Sequence, residues 1–435
     1  MKRRLVTIRE HGQLTTQSVR SSLDLAQVSG SAFDWLCQVS SSFNRSGARL
    51  LEVEGQRTLV WGSYVGVIET PCGTRLEVLP KHFEAGDCIR KSRALLCRMI
   101  HSALDLKPRQ VTVTGLRLFD APLSEWLMGQ FLTELDWLVK RGLRFDYQRV
   151  EEEQRFLRGQ LNVVAQMRQP PGRQQYFQIR HDVFLPDRPE NRLLKLALEQ
   201  VSKNTRDGGN WRLASELRTR LEGIATSDRV KADLRAWGRD RLLSHYYAVK
   251  PWCELILMQK MPLAVVGEWR GISLLFPMEK LFERHVEVWL RRHLDAGAQL
   301  TPQAARHYLC AHDGGGMFRL EPDILIQKGK QSWILDTKWK RLNQHDRRSN
   351  YQLSQADFYQ LYAYGQKYLD GRGELALVYP RWANFIQPLP VFEFGGGLRL
   401  WALPFDLEQD LLLGMERASL PVGSTPIHLQ RRMAV

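Results

Sequence analysis

The sequence of 435 residues contains six cysteines, and no two of them form a C-x-x-C pair. This spacing excludes a disulfide framework and a cysteine zinc ribbon. No stretch reaches the 18 uninterrupted apolar residues that a membrane span needs, and the basic start of the chain has no apolar segment after it. We therefore expect a protein of the reducing cytoplasm that is neither secreted nor attached to a membrane.

Acidic residues are fewer than basic ones, with 47 Asp and Glu against 62 Lys and Arg, so the formal net charge is +15. This surplus favours an acidic partner, and nucleic acid is the first candidate because its phosphates attract Lys and Arg through counterion release. Charge alone leaves open a basic protein that binds no DNA. Hydrophobic residues make up 43% of the chain, which excludes disorder, and the length allows two or three domains.

The pattern of apolar residues changes along the chain, which predicts an α+β multidomain fold. Residues 1–107 read mostly as short strands separated by turns and predict an N-terminal β-rich domain. Its clearest part is a hairpin of Tyr64–Glu69 and Arg75–Leu79 around Gly73. Residues 271–435 contain a helix, two strands, a second helix and a further strand, and this alternation predicts a C-terminal α/β domain.

Residues 108–270 predict a helical middle region with a projecting segment. Apolar residues at three and four spacing form one helical stripe: Trp126, Leu127, Phe131, Leu135 and Leu138. The polar, Gln- and Arg-rich segment 148–192 is too long for a simple connector. We interpret it either as a projecting element that docks a partner or as a disordered loop.

The stretch that carries chemistry is FRLEPDILIQKGKQSWILDTKWK. It predicts two strands, residues 318–327 and 332–340, joined by a tight turn at Gly329 and Lys330. With those two turn residues, Asp323 and Asp336 face each other across the strand pair. Lys338 then lies on the same face as Asp336, because side chains on one face of a strand recur every second residue.

Two opposed carboxylates destabilise a strand pair, so this arrangement needs a compensating cation. Mg²⁺ meets that need, with Mn²⁺ as an alternative, and would be bound by Asp323 and Asp336. Two carboxylates, a bound metal and an ammonium are what phosphodiester hydrolysis requires, which is the PD-(D/E)-x-K nuclease pattern. The alternative is a surface hairpin with solvated side chains, but the apolar residues that surround these positions favour a buried site.

Two helices are expected to complete the site. On the helix before the hairpin, Glu283 and Glu287 lie four residues apart, and we choose Glu283 as a third metal ligand. Its alternative role is an ion pair with a neighbouring arginine. On the helix after the hairpin, Gln360 and Tyr364 lie on one face, where an amide and a phenol could bind a phosphate or hold Lys338.

Several segments resemble the McrC family, the nuclease subunit of McrBC-type systems that restrict DNA with modified cytosine. They run in order from about residue 60 to 380: VGVIETPCGTRLEVLPK, FLRGQLNV, LFPMEKLFERHVEVWL, PDILI with ILDTKWK, and QADFYQLYAYGQKY. The resemblance places the metal-binding acids on Asp323 and Asp336 and the lysine on Lys338. Residues 1–55 lie outside the matching part.

The resemblance also implies a partner. A McrC-type subunit binds a ring-forming McrB-like AAA+ GTPase, stimulates it and cuts double-stranded, modified DNA. In the family the N-terminal half inserts into the ring, which would give the segment 148–192 its role. This chain has no G-x-x-x-x-G-K-[ST] motif, so we expect it to bind no nucleotide itself.

Two other functions remain open from the sequence. One is an adaptor that activates the ring without cutting DNA, and the other is a stand-alone repair nuclease similar to the RecB type. The intact trio of Asp323, Asp336 and Lys338 counts against the adaptor. Cutting by the isolated chain would favour the repair nuclease.

Overall fold

A computed structural model of the chain describes residues 5–44, 50–55, 57–81, 88–104, 122–173, 175–238, 241–258 and 274–423. These residues form two compact units. The first contains the described residues of 1–120 and 275–435, and the second those of 121–260 together with Leu274. The chain is thus a mixed α/β multidomain protein, as predicted. The predicted boundaries at residues 107 and 270 lie outside the described residues, and the division into three domains stays a prediction.

The N-terminal part of the first unit is rich in strands. Its elements are β1 (Leu5–Arg9), β2 (Gln13–Thr15), β3 (Leu25–Gln27), α1 (Gly30–Asn44), β4 (Leu51–Val53), β5 (Thr58–Trp61), β6 (Tyr64–Glu69), β7 (Arg75–Leu79) and α2 (Ile89–Ala103). The predicted hairpin is confirmed as β6 and β7, which pair antiparallel with Gly73 at a positive φ of 83° in the turn. The helix α1 lies where the sequence was read as strands and turns.

Two sheets enclose the core of this part. One has the order β1-β7-β6-β11, in which β11 (Leu274–Pro277) comes from much later in the chain, and the other has the order β3-β2-β5-β4. Fully buried apolar side chains such as Ile8, Leu14 and Trp61 fill the space around them. Every residue of β7 is buried, so its charged residues need partners inside the protein.

The helix α2 is held against β7 by a buried ion pair. Arg93 donates to Glu77 through Nε at 2.9 Å and through Nη2 at 2.7 Å, and both side chains are less than a tenth exposed. Thr7 of β1 donates a further hydrogen bond to Glu77 at 2.9 Å. This two-pronged contact fixes the helix on the sheet because both carboxylate oxygens are engaged.

The second unit combines helices with a small sheet. Its elements are α3 (Leu123–Arg141), β8 (Asp146–Gln154), β9 (Gln160–Leu161), α4 (Val163–Met167), β10 (Phe177–Leu185), α5 (Pro189–Asn204), α6 (Gly208–Arg220), α7 (Val230–Ala236) and α8 (Lys250–Met258). The predicted apolar stripe of α3 is buried. α5 and α6 are separated by a short break, and Asp207 caps the start of α6 by accepting a hydrogen bond from the Asn210 amide.

The polar segment 148–192 is a folded sheet, so its interpretation as a disordered loop is wrong. β8 and β10 pair antiparallel along nine residues each, and β9 pairs with the other side of β10. Ion pairs across the ladder, Arg180–Glu151 at 2.5 Å and Arg149–Asp182 at 3.5 Å, replace the apolar contacts of an ordinary sheet. No residue of β8 is buried and only Ile179 and His181 of β10 are, which weakens the alternating pattern by which a strand is predicted.

The C-terminal part of the first unit is built on one mixed sheet. Its elements are α9 (Met278–His293), β12 (Ala298–Pro302), β13 (His307–His312), β14 (Gly315–Leu320), β15 (Ile324–Lys328), β16 (Gln331–Thr337), α10 (Gln355–Tyr368), β17 (Gly373–Pro380), β18 (Phe392–Glu393), β19 (Leu398–Asp406) and β20 (Leu411–Leu412). The sheet order is β12-β15-β16-β17-β19-β18, with β20 beside β19. β16, β17 and β19 run parallel, and α10 connects the first two.

The predicted strand of residues 318–327 is in fact two strands. β14 pairs with β13 in a separate exposed hairpin, and β15 begins only at Ile324. The three residues between them, Glu321, Pro322 and Asp323, belong to neither strand. Proline lacks the amide hydrogen that a strand pair uses, which is consistent with the change of direction at this point.

The helix α9 packs as its apolar periodicity predicts. Leu281, Phe282, His285, Val288 and Trp289 are all buried. His285 contacts two other segments, since its Nδ1 lies 2.9 Å from Ser102 Oγ and its Nε2 lies 2.8 Å from Asp410 Oδ1. No described helix is long and apolar enough to cross a membrane.

The buried ion pair predicts a large loss of stability when it is broken. In Arg93→Leu the Glu77 carboxylate would remain buried without its guanidinium, so we expect the free energy of unfolding to fall by about 3 kcal/mol. Denaturant unfolding of the purified chain measures this. The matched control is Lys91→Leu, because Lys91 forms an exposed ion pair with Glu408 at 3.8 Å. Equal stability of the two variants would contradict the prediction.

Candidate active site at the end of a strand pair

The strand pair β15–β16 has the predicted register. Ile324 lies opposite Leu335 and Lys328 opposite Gln331, with Gly329 in the turn at a positive φ of 60°. Asp323 lies one residue before β15, so Asp336 is its counterpart on the neighbouring strand. The tight turn sets this register along the whole pair, which is why it could be calculated from the sequence.

Asp323 is fixed by hydrogen bonds from the opposite strand. Its Oδ2 accepts from the backbone amide of Thr337 at 2.8 Å and from Thr337 Oγ1 at 3.0 Å. Its backbone carbonyl accepts from the amide of Gln303, just beyond β12, at 2.9 Å. The carboxylate is therefore held at the end of the strand pair from two sides.

Asp336 is a buried carboxylate beside another one. The residue is 2% exposed, and burial followed by the nearby charge of Asp323 raises the pKa of Asp336 to about 6. The Nζ of Lys338 lies 2.7 Å from Asp336 Oδ2 as an ion pair. Among the described residues no donor makes a hydrogen bond of good geometry to that buried oxygen. The oxygen is thus placed to bind a cation.

Lys338 lies between two carboxylates. It is ion-paired to Asp336 and lies 3.6 Å from Asp357 Oδ1 in the first turn of α10. Burial opposes its charge, but Asp336 and Asp357 outweigh burial and raise the pKa of Lys338 to about 12. The lysine is therefore a permanent ammonium at neutral pH.

Glu283 and Glu287, four residues apart on α9, have different surroundings. Glu287 is ion-paired with Arg284 at 2.5 Å and with Arg291 at 2.8 Å. Glu283 accepts hydrogen bonds from Lys280 at 2.6 Å and Gln303 at 3.1 Å instead. Burial, and then the charge of Asp323, raise the pKa of Glu283, so this carboxylate faces the aspartate site.

Gln360 and Tyr364 contact each other rather than Lys338. Gln360 Nε2 donates to Tyr364 Oη at 2.6 Å, and Tyr364 Oη donates to the carbonyl of Glu321 at 3.0 Å. Burial raises the pKa of Tyr364, and the nearby charges of Asp336 and Asp323 raise it further. The phenol therefore ties α10 to the segment that carries Asp323. Phosphate binding by these two side chains stays a prediction.

The residue after Lys338 is anchored to the N-terminal sheet. Trp339 Nε1 donates to both carboxylate oxygens of Glu10, at 2.9 and 3.1 Å, and its ring packs on Phe282 of α9 with 5.3 Å between centroids. Glu10 is 1% exposed and also accepts from the amide of Lys81 at 2.8 Å. The end of β16 is thus fixed by two elements outside its own sheet.

A divalent metal fits Asp323 and Asp336 on chemical grounds. Both offer carboxylate oxygens, the ligands that Mg²⁺ and Mn²⁺ prefer, and a cation would offset the burial and the nearby charge of Asp323 that together raise the pKa of Asp336. Within the described ranges no three His, Cys, Asp or Glu side chains lie close enough to hold an ion by themselves. Two aspartates with water suit Mg²⁺, which usually keeps several waters. Glu283 as a third ligand stays a prediction.

Asp357 and Gln303 were missed by sequence analysis. The position of Asp357 could have been inferred from the sequence, because residues 357, 360 and 364 share one face of the helix that the sequence predicts. No such pattern points to Gln303. It has a positive φ of 44° and links Glu283 to Asp323 through contacts between residues about 20 apart in the chain.

The fold and this site define a mixed α/β protein with an acid and lysine cluster at the end of a strand pair. A family model described as "McrBC 5-methylcytosine restriction system component" matches residues 59–380. The chain belongs to this McrBC family, and the resemblance drawn from its sequence segments is confirmed. No curated protein gives a significant match.

Two solved structures share the fold. A chain of the refined half-complex from the tetradecameric assembly of Thermococcus gammatolerans McrB AAA+ hexamers with bound McrC has a TM-score of 0.69 and 20% identity. The match covers 92% of this chain and 94% of that one. A chain of the cryo-EM structure of the T. gammatolerans McrBC complex has a TM-score of 0.52 and 21% identity, covering 66% and 87% respectively.

The Glu10 anchor predicts a pH-dependent stability. Burial raises the pKa of Glu10 from 4.5 to about 7, against the opposing hydrogen bonds of Lys81 and Trp339. Because the folded state resists ionisation of Glu10, the free energy of unfolding falls as the pH rises from 4.5 to 7. Above pH 7 it stays lower by a constant amount. Glu10→Gln keeps an oxygen for both donors but cannot ionise. We expect it to match the wild type near pH 4.5 and to be about 3 kcal/mol more stable at pH 8.

Urea unfolding at both pH values measures the effect. The control is Glu393→Gln at an exposed glutamate of β18, which should leave the pH profile of the wild type unchanged. A Glu10→Gln variant whose stability follows that of the wild type at every pH would refute the assignment.

Proposed function

We propose that this chain is the DNA endonuclease subunit of a McrBC-like type IV restriction complex. It would hydrolyse phosphodiesters of modified double-stranded DNA with Mg²⁺, and a ring-forming AAA+ GTPase would gate it and be stimulated by it. The observation that carries the proposal is the convergence of Asp323, Asp336 and Lys338, with the buried Asp336 Oδ2 beside the ammonium. Family membership supports the restriction context.

Asp323 and Asp336 would hold the metal in the PD-(D/E)-x-K manner. When bound, Mg²⁺ supplies positive charge beside the scissile phosphate and makes water a better nucleophile at neutral pH. The hydrogen bonds from Thr337 leave Asp323 little freedom to turn away, and burial does the same for Asp336. The chain would thus present both ligands in place before DNA arrives.

Lys338 would act by its charge. Asp336 and Asp357 favour its ammonium form, so it can donate hydrogen bonds in the site. It can orient the attacking water and neutralise charge that develops on the phosphate. Asp357, 3.6 Å away, would position the ammonium from the α10 side.

Glu283, Gln360 and Tyr364 would support this trio. Glu283 now accepts hydrogen bonds from Lys280 and Gln303. To bind the metal it would give up one of these two hydrogen bonds. Tyr364 would keep Asp323 in place through the Glu321 carbonyl. Gln360 is exposed beside it, where its amide could bind a DNA phosphate.

The β8–β10 sheet supports a role in docking the ring. Between β8 and β10 the chain exposes a set of apolar side chains that we name the apolar tip: Phe156, Leu157, Val163, Val164 and Met167, each more than half exposed. Exposed apolar groups on a polar sheet are typical of a protein interaction site. The related solved complexes are described as McrB AAA+ hexamers with bound McrC, which suggests the same class of partner.

Substitution of Asp336 or Lys338 should abolish DNA cutting and leave the other activities of the complex intact. In Asp336→Ala and Lys338→Ala we expect cleavage by the complex reconstituted with its AAA+ partner to fall at least about 100-fold, because charge stabilisation at the phosphate is removed. GTPase stimulation should persist. The matched control is Lys340→Ala, an exposed lysine two residues further on, which should cut normally.

Two outcomes would count against this proposal. Cutting like that of the wild type by both site variants would overturn the assignment of the active site. Full cutting by the isolated chain, without partner or nucleotide, would favour a stand-alone repair nuclease.

Substitutions in the apolar tip should weaken binding to the AAA+ ring and leave the active site intact. Phe156 and Met167 are 79% and 82% exposed, so Phe156→Ser with Met167→Ser should leave folding intact. We expect affinity for the AAA+ ring and stimulation of its GTPase to fall about 10-fold or more. Trp211→Ser, at a 58% exposed residue of α6, is the control. Unchanged stimulation in the tip variant would show that the ring docks elsewhere.

A further inference from the structure

A pocket of about 780 Å³ lies between the segment that connects β16 to α10 and the start of β18. Three half-buried aromatic residues line it: Tyr351, Phe358 and Phe392. The rings of Phe358 and Phe392 meet edge to face with centroids 5.1 Å apart, and those of Tyr351 and Phe392 are 6.4 Å apart. The volume is that of a pocket for a small ligand or one nucleotide.

Polar groups occur on the exposed side of this pocket. Arg347, Asn350 and Gln355 contribute a guanidinium and two amides. Neither Arg347 nor the adjacent, exposed Arg348 has an ion-pair partner among the described residues. The pocket therefore combines an aromatic surface with two planar amide groups that can form hydrogen bonds and a guanidinium without an ion-pair partner among the described residues.

The backbone beside the pocket is strained. Three successive non-glycine residues, Asn350, Tyr351 and Gln352, have positive φ values of 52°, 56° and 67°. Such conformations cost about 1–3 kcal/mol each and persist where the surroundings enforce them, often at ligand sites. Here the Tyr351 amide donates to the Asp346 carbonyl at 2.8 Å, and the Tyr351 carbonyl accepts from the Asn343 amide at 3.2 Å. Tyr351 is thus fixed at the pocket.

The start of α10 contacts both the pocket and the candidate active site. β16 ends at Thr337, immediately before Lys338, so the segment that follows leaves from the carboxyl ends of the parallel strands. In open α/β sheets ligands bind at that edge. In the first turn of α10, Asp357 approaches Lys338 and the next residue, Phe358, lines the pocket.

We propose that this pocket is a subsite for an unstacked nucleobase of the DNA strand, next to the phosphodiester at the candidate active site. The inference rests on the proposed nuclease function. A base would stack on the aromatic residues, as any base can, while Asn350 and Gln355 hydrogen-bond to its edge. Arg347 would bind the adjoining phosphate.

Binding of DNA with 2-aminopurine tests the subsite without cutting. The full-length chain is mixed, in Ca²⁺, with a short duplex that carries one unpaired 2-aminopurine, and fluorescence is recorded. We expect quenching on binding, because the base stacks on an aromatic ring. Phe392→Leu keeps an apolar side chain but removes the ring, so the affinity should fall about 10-fold and the quenching should disappear.

A pair of arginine variants provides the matched comparison. Arg347→Ala and Arg348→Ala remove the same charge from neighbouring exposed positions, but Arg347 lines the pocket. Arg347→Ala should weaken binding of the unpaired duplex several-fold more than Arg348→Ala, and the two should bind a fully paired duplex alike. If Phe392→Leu does not fold, this pair decides, since neither arginine is buried.

The outcomes separate the subsite from the nuclease. Equal binding by the two arginine variants, or quenching that persists in folded Phe392→Leu, would overturn the subsite. If the subsite is overturned in this way but Asp336→Ala still loses cutting in the reconstituted complex, the nuclease function stands without the subsite. Absence of any DNA binding by the wild-type chain would overturn the subsite but not the nuclease function, which is tested by cutting in the reconstituted complex.

Discussion

Two carboxylates held side by side at the end of a strand pair are the constraint on which the arrangement around them depends. Asp336 is buried next to Asp323, and this proximity opposes its ionisation. Lys338 offsets part of the repulsion at 2.7 Å, and Thr337 holds Asp323 in place with two hydrogen bonds. The two acids stay close together because these neighbours hold them.

The supports of this pair come from different elements, which makes the site rigid. Gln303 holds the Asp323 carbonyl from the end of β12, and Tyr364 holds the preceding Glu321 carbonyl from α10. On the other side, Glu10 of the N-terminal sheet fixes Trp339, the neighbour of Lys338. Each of these three supports bonds the backbone or a side chain next to a site residue, so none of them occupies a carboxylate oxygen of Asp323 or Asp336. A site held in this way needs little rearrangement when its ligands arrive.

The sequence predicted the centre of the site better than its surroundings, for a physical reason. The register that pairs Asp323 with Asp336 follows from the two-residue turn at Gly329, which is local information. The contact of Lys338 with Asp357 depends on how α10 packs on the sheet, and no local pattern encodes that distance. The Glu10 anchor spans more than 300 residues of chain and was likewise beyond sequence reasoning.

The fold shows the same division between local and distant information. The hairpin β6–β7 was predicted from its two short strands around Gly73, and the stripe of α3 from apolar residues that recur at helical spacing, which are both local signals. The β8–β10 ladder was not predicted, because it is joined by charge pairs and has little buried surface on either face. The exposed hairpin β13–β14 was missed for a similar reason, since nearly all its residues face solvent.

The basic residues behind the net charge of +15 have different surroundings in the two units. In the β8–β10 ladder arginines are paired with carboxylates, as in Arg180–Glu151 and Arg149–Asp182, while apolar side chains are exposed in the segment that joins the two strands. Beside the acid site, Arg347 and Arg348 have no such partners among the described residues. A cluster of carboxylates repels DNA unless nearby cations raise the local potential. Arg347 and Arg348 therefore suit a site that must attract a phosphodiester, and the exposed apolar side chains between β8 and β10 suit a protein partner.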